Sequence, residues 1–315
     1  MRSRSTIVMA VIGAVVALSI IGGLYLQDSG RQIVRGAANT VAILRIEGVI
    51  AGGGSGESLL GAVAGSDAVV ALIAEAAEDP EVAALVLRIN SPGGSAAASQ
   101  EIAEELENFK AAGKKVITSM SDVAASGGYW IAAASDLIVA NPGTTTGSIG
   151  VIIQITDLRE LYEKLGVDFR VFKSGPLKDI GSANREMTEA EEEVFQAMVN
   201  DIFEQFIDQV VAGRDLDRDQ VIELADGRVF TGRQAKEAGL VDELGNFTFA
   251  LDRAAELAGL GENYQVRELR RLTPIERLLG LGLTKSLSQA LGQALRTVIQ
   301  ELLLESGLEG GLTTR

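Results

Sequence analysis

The sequence predicts an α/β fold: a mainly parallel sheet wrapped by helices. Two observations predict it. From residue 41 onward, short runs of Val, Ile and Leu alternate with segments of helical spacing, the pattern of strand–helix–strand units. The apolar content of 47% over 315 residues is enough for one large core or two small ones.

The elements follow in order. Residues 41–46 (Val-Ala-Ile-Leu-Arg-Ile) read as a first strand, and the glycine run 52–56 as a mobile loop, since no Gly-Lys-Ser/Thr follows to make it a phosphate loop. Residues 69–77 read as a helix ending at the acidic turn near Pro80, and 82–89 as a buried strand. Residues 95–110 have helical spacing through Ile102, Leu106 and Phe109. Strands are expected at 116–119, 137–140, 151–155 and 169–172, with a short helix after Ser126 and another over 158–165. Thr188 and Glu191 form a capping-box pair. Val194, Met198, Ile202, Phe206 and Val210 then mark one apolar face, expected to pack in the core. Shorter helices are expected at 233–237 and 251–257, and no fixed-period repeat is present.

The ends differ from this pattern. Arg2 and Arg4 precede an uncharged apolar stretch ending near Gln27, long enough for a signal anchor rather than a cleaved leader. The organisation expected is therefore an anchor over 1–27, a linker over 28–40, a catalytic domain over 41–272 and a helical tail over 273–315. The tail carries a leucine stripe from Leu278 to Leu302, suited to a partner subunit or, less simply, a membrane surface. The anchor places the domain outside the cytoplasm, in contact with membrane lipid.

Composition excludes several functions. The net charge of −15 offers no basic stripe for nucleic acid. Without Cys or His there are no disulfides and no ordinary zinc or iron sites, and no acidic cluster has calcium-loop spacing. The absence of histidine also excludes a Ser-His-Asp triad, so a catalytic serine would need another base; lysine is the known alternative.

The candidate nucleophile is Ser126, in Ala125-Ser126-Gly127-Gly128. An isolated Ser-Gly-Gly is more often a plain helix cap. Here two glycines leave the hydroxyl accessible, and a helix starting at that point aims N–H groups at a developing anion. Asn90-Ser91-Pro92-Gly93-Gly94, just after a strand, supplies a second turn with free donors for an oxyanion. Lys178 is the candidate base and Lys173 its rival. Asp179 beside Lys178 is a complication, since a close carboxylate favours the charged amine. Thr144, Thr145, Thr146 and Ser148 offer hydroxyls that could orient the amine.

Together, Arg88-Ile-Asn-Ser-Pro-Gly-Gly-Ser95, Ala124-Ala-Ser-Gly-Gly-Tyr-Trp130, Gly143-Thr-Thr-Thr-Gly-Ser-Ile-Gly-Val151, Lys173-Ser-Gly-Pro-Leu-Lys-Asp179 and Gly227-Arg-Val-Phe-Thr-Gly232 resemble signal peptide peptidase A in its single-repeat form. The resemblance spans about residues 41–245. It implies a ClpP/crotonase-like spiral of ββα units and a Ser-Lys dyad endopeptidase needing no cofactor. It implies a membrane-tethered homo-oligomer acting on hydrophobic peptides such as spent signal peptides. Carried over by position, Ser126 is the nucleophile, Lys178 the base and Ser148 the lysine-orienting hydroxyl. The oxyanion donors fall on Gly93 or Gly94 and on Gly127. In the short form of the family the dyad can be completed between neighbouring subunits. An acyl-CoA enzyme and an inactive scaffold of the same fold are the alternatives.

Overall fold

The computed structural model describes residues 38–58 and 61–270. The expected anchor, most of the linker and the whole C-terminal tail lie outside the described residues. Among the described residues no helix is long and apolar enough to cross a membrane.

The fold is mixed α/β. Its main sheet is built on β1 (Thr40–Glu47), β5 (Val82–Ser91), β6 (Lys115–Ala125), β7 (Leu137–Ala140), β10 (Glu243–Leu244) and β11 (Gln265–Glu268). The spatial order is β10-β7-β6-β5-β1-β11, with every neighbouring pair parallel. Parallel strands covered on both faces need apolar side chains on both, which is why β5 reads as a near-continuous aliphatic run. Leu85, Leu87 and Ile89 join the larger core with Ile73 of α1 (Ser66–Glu78) and Ile102, Leu106 and Phe109 of α2 (Ala96–Ala111). Ala84 and Val86 face the opposite way, onto Ala250 and Ala254 of α8 (Phe247–Leu257). Burying each Leu, Ile or Phe contributes about 1.5–3 kcal/mol, so this two-sided packing holds the sheet against its entropy cost.

Smaller pieces at the C-terminal end of the sheet shape what lies there. β8 (Thr145–Gly147) runs parallel to the end of β6 and antiparallel to β9 (Val229–Thr231). A separate sheet is formed by β2 (Val49–Ala51), β3 (Gly56–Ser58) and β4 (Gly61–Gly65) in the order β2-β4-β3. So the 52–56 run is a loop only to residue 55, since Gly56 begins β3. Ile50 of β2 clamps the 90–95 turn: its N–H donates to the Gly93 carbonyl at 2.9 Å, and its carbonyl accepts the Ser95 N–H at 2.9 Å.

Three expectations are corrected. Residues 151–155 and 169–172 are not strands. They have β-branched and aromatic side chains but no strand pairs with them among the described residues, and Ile152 and Phe172 are almost fully exposed (89% and 95%). Only the short helix between them forms as read, as α4 (Arg159–Leu165). The long helix α5 (Glu189–Arg214) has the expected capping box, but its apolar face is only half core. Phe206, Ile207 and Val210 are buried, and Phe206 stacks on Trp130 at 4.6 Å between ring centres. Val194 and Ile202 are half-buried and Met198 is 48% exposed, outside the core that Phe206, Ile207 and Val210 join.

Candidate active site

Ser126 sits where β6 ends and α3 (Gly127–Ala133) begins. Its backbone is at φ 52°, ψ −121°, a region that costs a non-glycine residue about 1–3 kcal/mol. The surroundings hold it there. Its N–H donates to the Gly147 carbonyl at 2.9 Å, its carbonyl accepts from Tyr129 and Trp130, and the buried Tyr129 hydroxyl donates to the Leu240 carbonyl at 3.0 Å. Ser126 occupies the N-cap position, yet its side chain makes no capping hydrogen bond. The ordinary reason for a serine at this place is therefore missing, and the hydroxyl faces the cleft.

The 90–95 turn presses against it. Gly93 and Gly94 have φ of +104° and +155°, conformations that side chains rarely adopt. A Cβ on Gly94 would lie 2.0 Å from the Ile50 carbonyl oxygen, and one on Gly93 2.8 Å from both Gly127 N and Ser126 Cβ. The Gly93 N–H is engaged, donating to Ser91 Oγ at 3.1 Å. The Gly94 and Gly127 N–H groups have no acceptor among the described residues and lie together, since a Cβ on Gly127 would be 3.3 Å from Gly94 N. Of the three glycines expected at an oxyanion hole, these two carry available donors.

Ser126, Gly94, Gly127 and Ser148 line one cleft of about 660 Å³. Trp130, Val151, Ile202, Phe203 and Phe206 line it as well, together with the polar Asn200 and Asp226. Of the incompletely buried stripe positions Val194, Met198 and Ile202, Ile202 lines this cleft, beside Val199 and Phe203 of the same helix. The hydroxyl series also separates. Thr144 Oγ1 donates to the Ser121 carbonyl at 2.6 Å and Thr146 Oγ1 to the Ala124 carbonyl at 2.7 Å, and both residues are buried. Ser148, at φ 51°, is turned instead to the cleft.

Lys178 does not line this cleft within one chain. It lies exposed in the turn after α4, and its amine has no hydrogen-bond or ion-pair partner among the described residues. The rival Lys173 is committed, donating to Asp179 Oδ1 at 2.7 Å and to the Pro176 carbonyl at 2.9 Å. Arg185 takes both Asp179 oxygens, Nε to Oδ2 at 3.0 Å and Nη2 to Oδ1 at 2.9 Å. These hydrogen bonds, from Arg185 first and Lys173 second, hold the Asp179 carboxyl well below the usual carboxylate range. Arg185 also bonds both oxygens of the buried Glu191, which accepts the Thr188 N–H at 2.9 Å in the capping box.

The Arg185 hydrogen bonds push the Glu191 carboxyl down from 4.5 to about 2. Because the native value is the lower one, the unfolded chain binds more protons between these values, and stability rises with pH there. The contribution is complete above pH 4.5 and is lost as pH falls to about 2. Amide exchange at residues 188–191 should accelerate over that window in the wild type and lose this acid step in Glu191→Gln.

Comparisons with known proteins place the chain among peptidases. The model of peptidase family S49 matches residues 108–261. A Synechocystis sp. protein named as a protease is 45% identical over 223 residues, covering 67% of this chain and 80% of that protein. An Enterococcus faecium protein named as a signal peptide peptidase is 46% identical over 175 residues, 56% of this chain and 51% of its own length. Among solved structures, a membrane-bound stomatin-specific protease aligns over 75% of this chain and 100% of its own, at 18% identity and a TM-score of 0.48.

Proposed function

We propose a Ser-Lys mechanism for this chain, which belongs to the signal peptide peptidase A family of S49 serine peptidases. One observation carries the proposal: a serine held in a strained turn, with no capping bond, beside two N–H groups that have no acceptor among the described residues, on the wall of a cleft lined in part by aliphatic and aromatic side chains.

Ser126 is the nucleophile. The neutral Lys178 amine takes the Oγ proton as Oγ bonds to the peptide carbonyl carbon. The resulting oxyanion accepts from Gly94 and Gly127 N–H. When the C–N bond breaks, the lysine ammonium protonates the departing amine, and water repeats the cycle with the acyl-enzyme. Ser148 orients the amine from the cleft wall. No metal or cofactor enters these steps.

The lysine that serves a given Ser126 comes from a second copy of the chain. Residues 151–177 expose Ile152, Leu165, Phe169, Val171 and Phe172, more apolar surface than a lone chain favours. Packing that segment on a neighbour would cover these side chains and bring in Lys178. The fold is read as the ClpP/crotonase-like spiral. The substrates fitting the aliphatic and aromatic cleft are apolar, unfolded peptides, spent signal peptides among them. The N-terminal apolar stretch tethers the enzyme at the membrane that releases them.

A fluorophosphonate probe should label Ser126 alone, and both labelling and cleavage of an apolar peptide should rise into the alkaline range, because only the unprotonated amine accepts a proton. An unlabelled Ser126, or a profile peaking in acid, would sink the assignment.

A further inference from the structure

We propose that Arg185 is a positioning residue for the Ser-Lys reaction: it holds the Asp179 carboxylate away from the neighbouring Lys178 amine. The inference rests on the assignment of Lys178 as the base.

The problem that Arg185 solves is visible in the sequence. A base amine must be uncharged to accept a proton, and a carboxylate within reach favours its charged form. Asp179 is covalently next to Lys178, and a rotation of its side chain would suffice to bring the two together. The structure removes that option. Both carboxylate oxygens are occupied, Oδ1 by Lys173 Nζ and Arg185 Nη2, Oδ2 by Arg185 Nε. Arg185 Nη2 also donates to the Asp179 backbone carbonyl at 3.1 Å, so it grips the residue at two places. The Asp179 side chain is largely covered, at 16% exposure.

Arg185 is itself anchored. Its other contacts are the Glu186 carbonyl and the carboxylate of Glu191, whose side chain is only 2% exposed. Glu191 is fixed in turn by the capping box with Thr188 at the start of α5. The charged groups around Asp179 are therefore Lys173 on the preceding loop, Arg185 on the following turn and Glu191 on α5. The Arg159–Glu186 pair, at 3.5 Å, and the Asp157 carboxylate bonded to Arg159 lie on the adjoining α4 side. The rigid first turn of α5 thus reaches, through one guanidinium, to the residue beside the base. Two cations share Asp179, and Lys178 has no counter-ion among the described residues.

A bidentate guanidinium is suited to this task. Its planar fork fixes the carboxylate in one orientation, whereas a lysine alone would act as a point charge about which the carboxylate could turn.

The test compares kcat/KM against pH for cleavage of an apolar peptide by the full-length wild type, Arg185→Gln, Asp179→Asn and the double variant. In Arg185→Gln the freed carboxylate can reach Lys178. Its ascending limb should move to higher pH by about one unit, a tenfold loss near neutrality that is recovered in alkali. Asp179→Asn in the same chain should return the limb to the wild-type position. A merely structural role for Arg185 would instead lower the rate equally at every pH and would not be rescued. That outcome, or an unmoved limb, overturns the inference. Lys178→Ala keeps the two failures apart. If it is inactive while the Arg185→Gln limb is unmoved, only the role of Arg185 falls. If it turns over normally, the dyad itself falls.

Discussion

Ser126→Ala and Lys178→Ala each reduce cleavage of an apolar peptide by at least about a thousandfold, since removing one member of a nucleophile–base unit disables the whole. Neither change should weaken the fold. Ser126 makes no side-chain hydrogen bond to its helix, and Lys178 makes no side-chain bond among the described residues. Ser126→Ala keeps a positive φ at a Cβ-bearing residue, so the turn's strain is unchanged. Mixing the two inactive variants separates the two places from which the base could come. If each site joins the serine of one copy to the lysine of the next, random co-assembly restores up to about a quarter of wild-type activity. A mixture that stays inactive after subunit exchange refutes the shared site, and wild-type turnover by either single variant refutes the dyad.

Gly94→Ala is the second large effect. The methyl group would sit 2.0 Å from the Ile50 carbonyl oxygen, against backbone that cannot rotate away, at a φ of +155° that alanine resists. The turn must shift, and the Gly94 N–H moves off the oxyanion position. Loss of one such donor corresponds to about 10²–10³ in kcat. Gly143→Ala is the matched control: its Cβ meets nothing within 4 Å, and its activity should be that of the wild type. If Gly94→Ala keeps the wild-type kcat while folded, Gly94 is not an oxyanion donor.

Much of the scaffold was legible because its signals are local. The aliphatic runs of β1, β5 and β7 and the spacing of α2 report burial directly, and Thr188 with Glu191 announces the start of α5 within four residues. Other parts misled for equally physical reasons. Residues 151–155 have strand-forming side chains, but a strand also needs a partner edge, which the described chain does not provide. The stripe from Val194 to Val210 has one helical period throughout, so periodicity could not show that Phe206 and Val210 are buried, that Ile202 lines the cleft and that Met198 is exposed. β2, β3, β8 and β9 are only three residues each and carried no usable pattern.

The amino-acid sequence by itself determined the α/β class, the exclusion of histidine and thiolate chemistry, and the residues from which a Ser-Lys site would be drawn. Those follow from residue type, order and short spacing. Only the tertiary structure decided which glycine N–H groups stay unpaired, which hydroxyl of residues 144–148 faces the cleft, and which cations claim Asp179. Each of these is a choice between partners distant along the chain, and backbone close approach and competition for hydrogen bonds settle it only after the sheet has brought those partners together.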